Sequence, residues 1–260
     1  MSTPHIHFER RGKHREVAVI RLTRVAKRNA LNDGLILAIR DLFEKMPEGV
    51  RAAVIDGEGE HFCAGLDLSE LKERDAGQGL HHSRMWHAAL ERVQFGPVPV
   101  IAALHGAVVG GGLELASACH IRVADETTFY ALPEGTRGIF VGGGGAVRIP
   151  RLIGAARMAD MMFTGRVYNA QDGERIGMAQ YLVPQGQAFD KAFELAVRVA
   201  GNAPLTNYAL MHALPRIAEQ PSDQGFMTEA MMAAIAQSAP EAKERVRAFL
   251  DGKAAKVKKS

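Results

Sequence analysis

Two glycine-rich turns and two glutamates carry the chemistry this chain could perform. The turns are His61-Phe62-Cys63-Ala64-Gly65-Leu66-Asp67-Leu68 and Gly106-Ala107-Val108-Val109-Gly110-Gly111-Gly112-Leu113-Glu114. Each follows an apolar run that reads as a buried strand, and each opens onto a helical pattern. Glycine lets a backbone approach a ligand closely, and the first amides of a helix have no partner of their own. Two such N–H groups aimed at one point would hold an oxyanion. Glu114 and the Glu134 of Leu132-Pro133-Glu134 add two carboxylates for moving protons. A carboxyl beside an apolar pocket has its neutral form favoured, which suits proton transfer near neutral pH. Taken singly, most of these parts have a purely structural role open to them. The glycines permit tight strand-to-helix turns, and Glu114 at a helix start gains from the dipole. Glu134, after a proline on a loop, has no such role.

The elements that must position these groups follow from local pattern. Val17-Ala18-Val19-Ile20-Arg21-Leu22 predicts a strand, and Asn32 or Asp33 caps a helix through Leu35, Leu37, Ile39 and Phe43. Ala52–Ile55, Val100–Leu104 and Ile121–Ala124 are continuous apolar runs, the signature of parallel strands covered on both faces. Strand–helix–strand repetition gives an α/β fold with a mostly parallel sheet. Between Leu71 and Arg92 the pattern changes: Asp75-Ala76-Gly77-Gln78-Gly79 is a breaker cluster, and His81–Leu90 is helical but polar-mixed. This stretch reads as a mobile flap over the site, with Trp86 either lining the substrate or packed in the core. Helices are expected over Phe189–Ala200 and Thr228–Ala236. The division that results is a catalytic core over 1–195 and a helical region with a basic tail over 196–260.

A chain of 260 residues, 47% hydrophobic, is long enough for one large α/β domain with an appended region. Its net charge of +3 demands no nucleic-acid partner. Much of the excess sits in Lys253, Lys256, Lys258 and Lys259, either a solvated tail or a contact to a phosphate. Cys63 and Cys119 stand alone in apolar surroundings, as reduced packing residues of a cytoplasmic protein do. No signal peptide and no membrane-length apolar run is evident. The glycine runs contain no dinucleotide or P-loop pattern, the histidines no zinc pattern, and no nucleophile elbow is present. Metal-free acid–base chemistry is what remains.

In this order, Lys27-Arg28-Asn29-Ala30-Leu31-Asn32, Phe62-Cys63-Ala64-Gly65-Leu66-Asp67-Leu68, Gly110-Gly111-Gly112-Leu113-Glu114-Leu115-Ala116 and Leu132-Pro133-Glu134 resemble the crotonase superfamily, which includes the enoyl-CoA hydratases and isomerases. Each motif alone is modest; four in order over one domain length are specific. The resemblance runs from about Val17 to Val183-Pro184, with a looser helical tail beyond. It implies a spiral core of repeated strand–strand–helix units with a C-terminal helical region used in trimerisation, as a homotrimer or a dimer of trimers. It also implies that the N–H groups of Leu66 and Gly111 form the oxyanion hole of an acyl-CoA enzyme. Hydratases of this kind use both glutamates around one water: Glu134 delivers the α-proton and Glu114 holds and helps activate the water. Coenzyme A is then part of the substrate, with no separate cofactor and no metal. The segment Ala64, Asp67 and Leu68, together with Lys27, Arg28, Ala30, Gly110 and Lys253, is implied in binding it.

Isomerases typically need only the later glutamate, so the presence of both tilts the expectation toward hydration. The alternatives are a double-bond isomerase, a dehydratase or hydrolase of a specialised acyl-CoA, or a catalytically silent scaffold or RNA-binding homologue. Two departures bear on the substrate. Relatives carry Pro-Gly-Ala-Gly-Gly-Thr-Gln-Arg where this chain has Val141, four glycines, Ala146, Val147 and Arg148, which implies either a reshaped acyl cavity or simple backbone permissiveness. Tyr130 is also atypical, and with Trp86 and Val141 it is a candidate for the acyl pocket, packing in the core being its alternative.

Overall fold

The computed structural model describes residues 5–70 and 73–253. Its strands are β1 (Ile6–Arg11), β2 (Val17–Leu22), β3 (Ala52–Gly57), β4 (Val100–Leu104), β5 (Ala107–Val109), β6 (Ile121–Asp125), β7 (Phe129–Ala131), β8 (Tyr168–Asn169) and β9 (Tyr181–Val183). The helices up to residue 200 are α1 (Asp33–Glu44), α2 (Ala76–Gln94), α3 (Gly111–Ala118), α4 (Gly145–Ile153), α5 (Ala155–Thr164), α6 (Ala170–Ile176) and α7 (Ala188–Ala200). A six-stranded sheet runs in the order β1-β2-β3-β4-β6-β9, and a three-stranded sheet in the order β5-β7-β8. Within the large sheet only β1 is antiparallel.

Side chains alternate across a strand, and here both faces are dry. One face carries Ala18, Ile20, Leu22, Ala53, Ile55, Ala102 and Leu104, packed with Leu35, Ile36, Ile39 and Phe43 of α1 and Ala89, Leu90 and Val93 of α2. The other carries Val17, Val54, Ile101, Ala103 and Val123 against Ala188, Ala192, Leu195 and Ala196 of α7. Helices on both faces explain why β3 and β4 read as unbroken apolar runs. Asn32 caps α1 by accepting from the Leu35 amide at 2.9 Å.

The chain winds as a spiral of strand–strand–helix turns. In the first, β3 leads to a bridge at Cys63 beside Val108 and then to α2. In the second, β4 lies in the large sheet, β5 in the small one, and α3 follows. In the third, β6 and β7 take the same places ahead of α4.

Two local expectations are corrected. The cluster Asp75–Gly79 does not break a helix but starts one: Asp75 accepts from the Gln78 amide at 2.8 Å while the Gln78 side chain accepts from the Asp75 amide, a complete capping box. The second glycine-rich turn opens onto an α-helix as expected, with Gly110 capping α3, but the first does not. The first runs into a short 3-10 turn, Leu68–Glu70, and the second contains β5 before α3 starts at Gly111.

Contacts divide the chain into units over residues 1–200 and 201–260, so the expected boundary at 195/196 falls inside α7. The second unit contains α8 (Pro204–Tyr208), α9 (Leu214–Ile217), α10 (Ser222–Ser238) and α11 (Pro240–Leu250), with a π-helical turn over Ala209–Ala213. Phe226, Met227, Met231, Phe249 and Leu250 of this unit are exposed. No helix among the described residues is long and apolar enough to cross a membrane. Lys256, Lys258 and Lys259 lie outside the described residues.

Candidate active site

Each turn of the spiral delivers one part of the site just beyond its small-sheet strand. Leu66 lies three residues past the Cys63 bridge, Gly111 two past the end of β5, and Glu134 three past the end of β7. Strand pairing therefore sets their relative positions: the Val109 amide donates to Cys63 O at 3.1 Å, and the Gly110 amide to Ala131 O at 2.9 Å. Carboxyl ends of parallel strands are where α/β folds hold ligands.

The two expected donor amides are brought together. A methyl group built on Gly111 would lie 3.5 Å from Leu66 N, and one on Gly65 would lie 3.5 Å from Gly111 N. Gly65 has φ of +100°, and a side chain there would meet Val109 O at 2.8 Å, so only glycine lets the turns close to this distance. The Leu31–Leu66 parallel bridge uses Leu31 N to Gly65 O and Asp67 N to Leu31 O, which turns the Leu66 amide away from that ladder. As the first residue of α3, Gly111 has no partner for its N–H within the helix.

Glu114 and Glu134 flank the same helix start. All eight residues of α3 are buried, Glu114 included. Its Oε1 accepts from the amides of Gly143 and Gly145, each at 2.8 Å. Burial pushes the Glu114 carboxyl up to about 7 against the pull of those two amides; nearby Glu134 adds to the rise and Arg148 opposes it. Glu134 lies against Gly110, where a methyl group would come 2.5 Å from its Oε1. Its Oε2 is buried with no protein partner. Burial also raises Glu134, with its own backbone amide and Arg137 acting the other way.

The residues implied in coenzyme A binding fall into one patch and two outliers. Ala64 N donates to Arg28 O at 3.0 Å, which with the Leu31–Leu66 bridge stitches the segment 27–31 to the first turn. Ala30 is buried, and its carbonyl accepts from Arg24 Nη1 at 3.0 Å. Arg24 also pairs with Asp67 at 2.6 Å, and Ser69 donates to Asp67 at 2.6 Å. The Ser69 hydroxyl, ahead of its amide and Arg24, holds the Asp67 carboxyl down at about 2. The Asp67 side chain is thus committed to bracing the turn. Lys27 extends over this carboxylate, 3.2 Å from Ser69 Oγ, and Leu68 is exposed beside it. Gly110 belongs with Glu134 rather than with this patch. Lys253 lies in the second unit, paired with Asp251 at 3.0 Å.

Of the acyl-pocket candidates, Trp86 is buried with its six-membered ring edge 3.4 Å from a methyl position on Gly111. Its indole N–H donates to Asp33 at 3.0 Å, and His82 meets the same oxygen at 2.7 Å. Val141 is buried next to the glycine run. Tyr130 is placed otherwise: it is fully buried in β7, with its ring packed on Gly173 of α6, where a methyl group would overlap it at 2.2 Å. Arg148 and Asp33 were not singled out from sequence as site residues. The signal for Arg148 is that it stands where the glycine-rich pattern of relatives also ends in arginine.

This spiral, with two amides and two buried carboxyl groups at the ends of its small-sheet strands, has the architecture of the crotonase superfamily. The sequence profile of the enoyl-CoA hydratase/isomerase family matches residues 12–259, and the chain belongs to that family. It is 31% identical over 242 residues to the 2,3-dehydroadipyl-CoA hydratase of Escherichia coli, covering 92% of this chain and 93% of that one. Identity to the short-chain-enoyl-CoA hydratase of Clostridium acetobutylicum is 29%, over 96% of each chain. A crystal structure of a Rhodopseudomonas palustris protein carrying the provisional name enoyl-CoA hydratase superimposes with a TM-score of 0.93 at 58% identity, over 98% of both chains.

Proposed function

We propose that this protein is an enoyl-CoA hydratase that adds water across the 2,3 double bond of an acyl-CoA thioester. The observation that carries the reading is the pair of buried glutamates flanking the helix start to which the Leu66 and Gly111 amides converge. The thioester carbonyl accepts from those two amides. As the water oxygen bonds to C3, the π electrons shift through C2 onto the carbonyl oxygen, and the amides hold the resulting enolate. Losing one donor of this kind costs on the order of 100- to 1000-fold in rate. Glu114, as carboxylate, takes a proton from the water. Glu134, as carboxylic acid, gives its proton to C2 and restores the thioester. A site that holds one acid and one carboxylate needs carboxyl groups that ionise reluctantly, and burial supplies that for both.

The patch formed by Lys27, Arg28, Ala30, Ala64 and Leu68 is suited to the coenzyme A moiety, with two cations for its phosphates. Lys253 is suited to reach a phosphate on another copy of the chain. The exposed apolar side chains of α10 and α11 support assembly into trimers or pairs of trimers.

The test is the loss of conjugated absorbance of crotonyl-CoA and cinnamoyl-CoA with the wild type, Glu114→Gln and Glu134→Gln. Hydration predicts a drop in rate on the order of 100- to 10,000-fold for both variants. Conversion of a 3-enoyl-CoA that needs only Glu134 would make the enzyme an isomerase instead. Tight coenzyme A binding without turnover of any thioester would refute catalysis of this class.

A further inference from the structure

We propose that Arg148 is a positioning residue for Glu114: it holds the Gly142–Gly145 loop in place so that Oε1 is tied down and Oε2 is the oxygen offered to the reacting water. This rests on the hydratase reading for the identity of the water, but not for the contact itself.

Three features of the loop support it. The loop closes on Glu114 from two sides, since Gly143 and Gly145 both donate to Oε1. Methyl groups on these glycines would lie 3.0 Å from Glu114 Oε2 and 2.9 Å from its Oε1, so the loop backbone packs directly on the carboxyl. The intervening Gly144 takes a left-handed φ of +97°, with a methyl position 2.3 Å from Arg148 Nη1. Arg148 then anchors the loop from behind. Its Nη1 donates to Gly143 O at 2.9 Å and its Nε to Gln94 Oε1 of α2 at 2.7 Å. The Gly143 residue therefore accepts from a buried cation at its carbonyl and donates to a buried carboxyl at its amide. Removing the guanidinium takes away both the anchor of the loop and the positive charge nearest Glu114.

The groups that could confuse a titration are few. Glu134 faces Glu114, while Glu91 of α2 and the Cys119 thiol lie near Arg148. His87 of α2 is also close, but burial, then Arg84 and Arg148, holds it below the ordinary imidazole value. The Cys119 thiol is pushed up by burial to about 12. Neither accounts for a titration near neutrality that vanishes in Glu114→Gln.

The experiment compares wild type, Arg148→Met, Arg148→Lys and Gln94→Met. Two readouts are used: the pH profile of kcat for crotonyl-CoA hydration, and the carboxyl 13C titration of Glu114, assigned by its disappearance in Glu114→Gln. Arg148→Met is expected to lower kcat on the order of 10- to 100-fold with KM little changed, because misplacement of a catalytic group acts on the chemical step. Its acidic limb and the Glu114 resonance should both move up by about one pH unit, as loss of a nearby cation dictates. Arg148→Lys keeps the charge but not the fork, so it should return the titration toward wild type while kcat stays depressed. Gln94→Met, which removes one anchor and no charge, should lower kcat without moving the titration. A Glu114 titration unmoved in Arg148→Met, or a lysine variant titrating like the methionine one, overturns the proposal. If the wild type hydrates no enoyl thioester, the hydratase reading fails while the 13C titration still decides the role of Arg148. Gln94→Met keeps the kinetic test available should Arg148→Met not fold.

Discussion

Replacing Glu114 by glutamine should stabilise the protein at alkaline pH, and the size of the effect follows from its burial. In the unfolded chain this carboxyl ionises near the ordinary value of 4.5, and in the fold near 7. Between those values the native state keeps a proton that the unfolded state has lost, so unfolding becomes easier as pH rises through the window. Above about pH 7 the accumulated cost is roughly 3 kcal/mol, each tenfold change in acidity being worth about 1.4 kcal/mol. Glutamine has nearly the same shape, can accept from the Gly143 and Gly145 amides, and titrates in neither state. The stability difference between variant and wild type should therefore grow in the variant's favour by roughly 2 to 3 kcal/mol between about pH 5 and pH 8. Glu134, also raised, adds a slope of the same sign to both proteins, which largely cancels in the comparison. Urea unfolding at several pH values measures it. With a slope of about 3 kcal/mol/M for a chain of this size, the midpoints should diverge by about 1 M or less. Parallel midpoints across that range would refute the claim that burial raises the Glu114 carboxyl.

Three other substitutions test separate parts of the structure. Gly110→Ala should lower hydration by at least about 100-fold, since its methyl group would sit 2.5 Å from Glu134 Oε1 and its φ is +52°; wild-type kcat in a folded variant would contradict the placement of Glu134. Tyr130→Phe removes a buried hydroxyl with no protein partner, so stability should hold or rise by about 1–3 kcal/mol with kcat/KM unchanged. A loss of activity there would put the ring back in the acyl pocket. Asp33→Ala frees Trp86 and His82 from α1, so amide hydrogen exchange across residues 82–90 should quicken while α7 stays as protected as before.

The large sheet was legible because its strands are buried on both faces, and a short continuous apolar run such as Ala52–Ile55 or Val100–Leu104 suits a strand of that kind. The cap at Asn32 was legible from local chemistry, a short polar side chain just ahead of an apolar helical face. The start of α2 was not, because Gly77 and Gly79 outvote a capping box when only propensity is counted, and the box lies in two reciprocal bonds that propensity does not see. The short strands of the small sheet were invisible as well. At three residues each, β5 and β7 are too short to show a period, yet it is they that bring Gly111 and Glu134 together. Tyr130 could have gone either way from sequence, since the partner that decides it, Gly173, lies more than forty residues downstream. The glycine run at 142–145 illustrates the same limit. Its composition speaks of freedom, and its use is to fit closely around one carboxyl group.

The two glutamates are not equivalent, and the difference follows from what each oxygen touches. Glu114 has one oxygen fixed by two amides at 2.8 Å, which removes its rotational choice and leaves a single oxygen to act. Glu134 sits on a loop before a three-residue 3-10 turn, with one oxygen against Gly110 and the other buried without a protein partner. A fixed carboxylate suits a nucleophile that must approach C3 along one line, because the geometry is set before substrate arrives. A carboxyl with one oxygen left without a partner suits the delivery of a proton to carbon, since each further hydrogen bond to the ionised form would lower its pKa. Exchanging the roles would put the restrained group where it must follow a carbon that changes from planar to tetrahedral. The asymmetry thus supports Glu114 as the residue that handles water and Glu134 as the one that meets C2. Solvent deuterium appearing at C2 when Glu114→Gln is incubated with a saturated acyl-CoA, and failing to appear with Glu134→Gln, is the expected result; the opposite pattern would reverse the assignment.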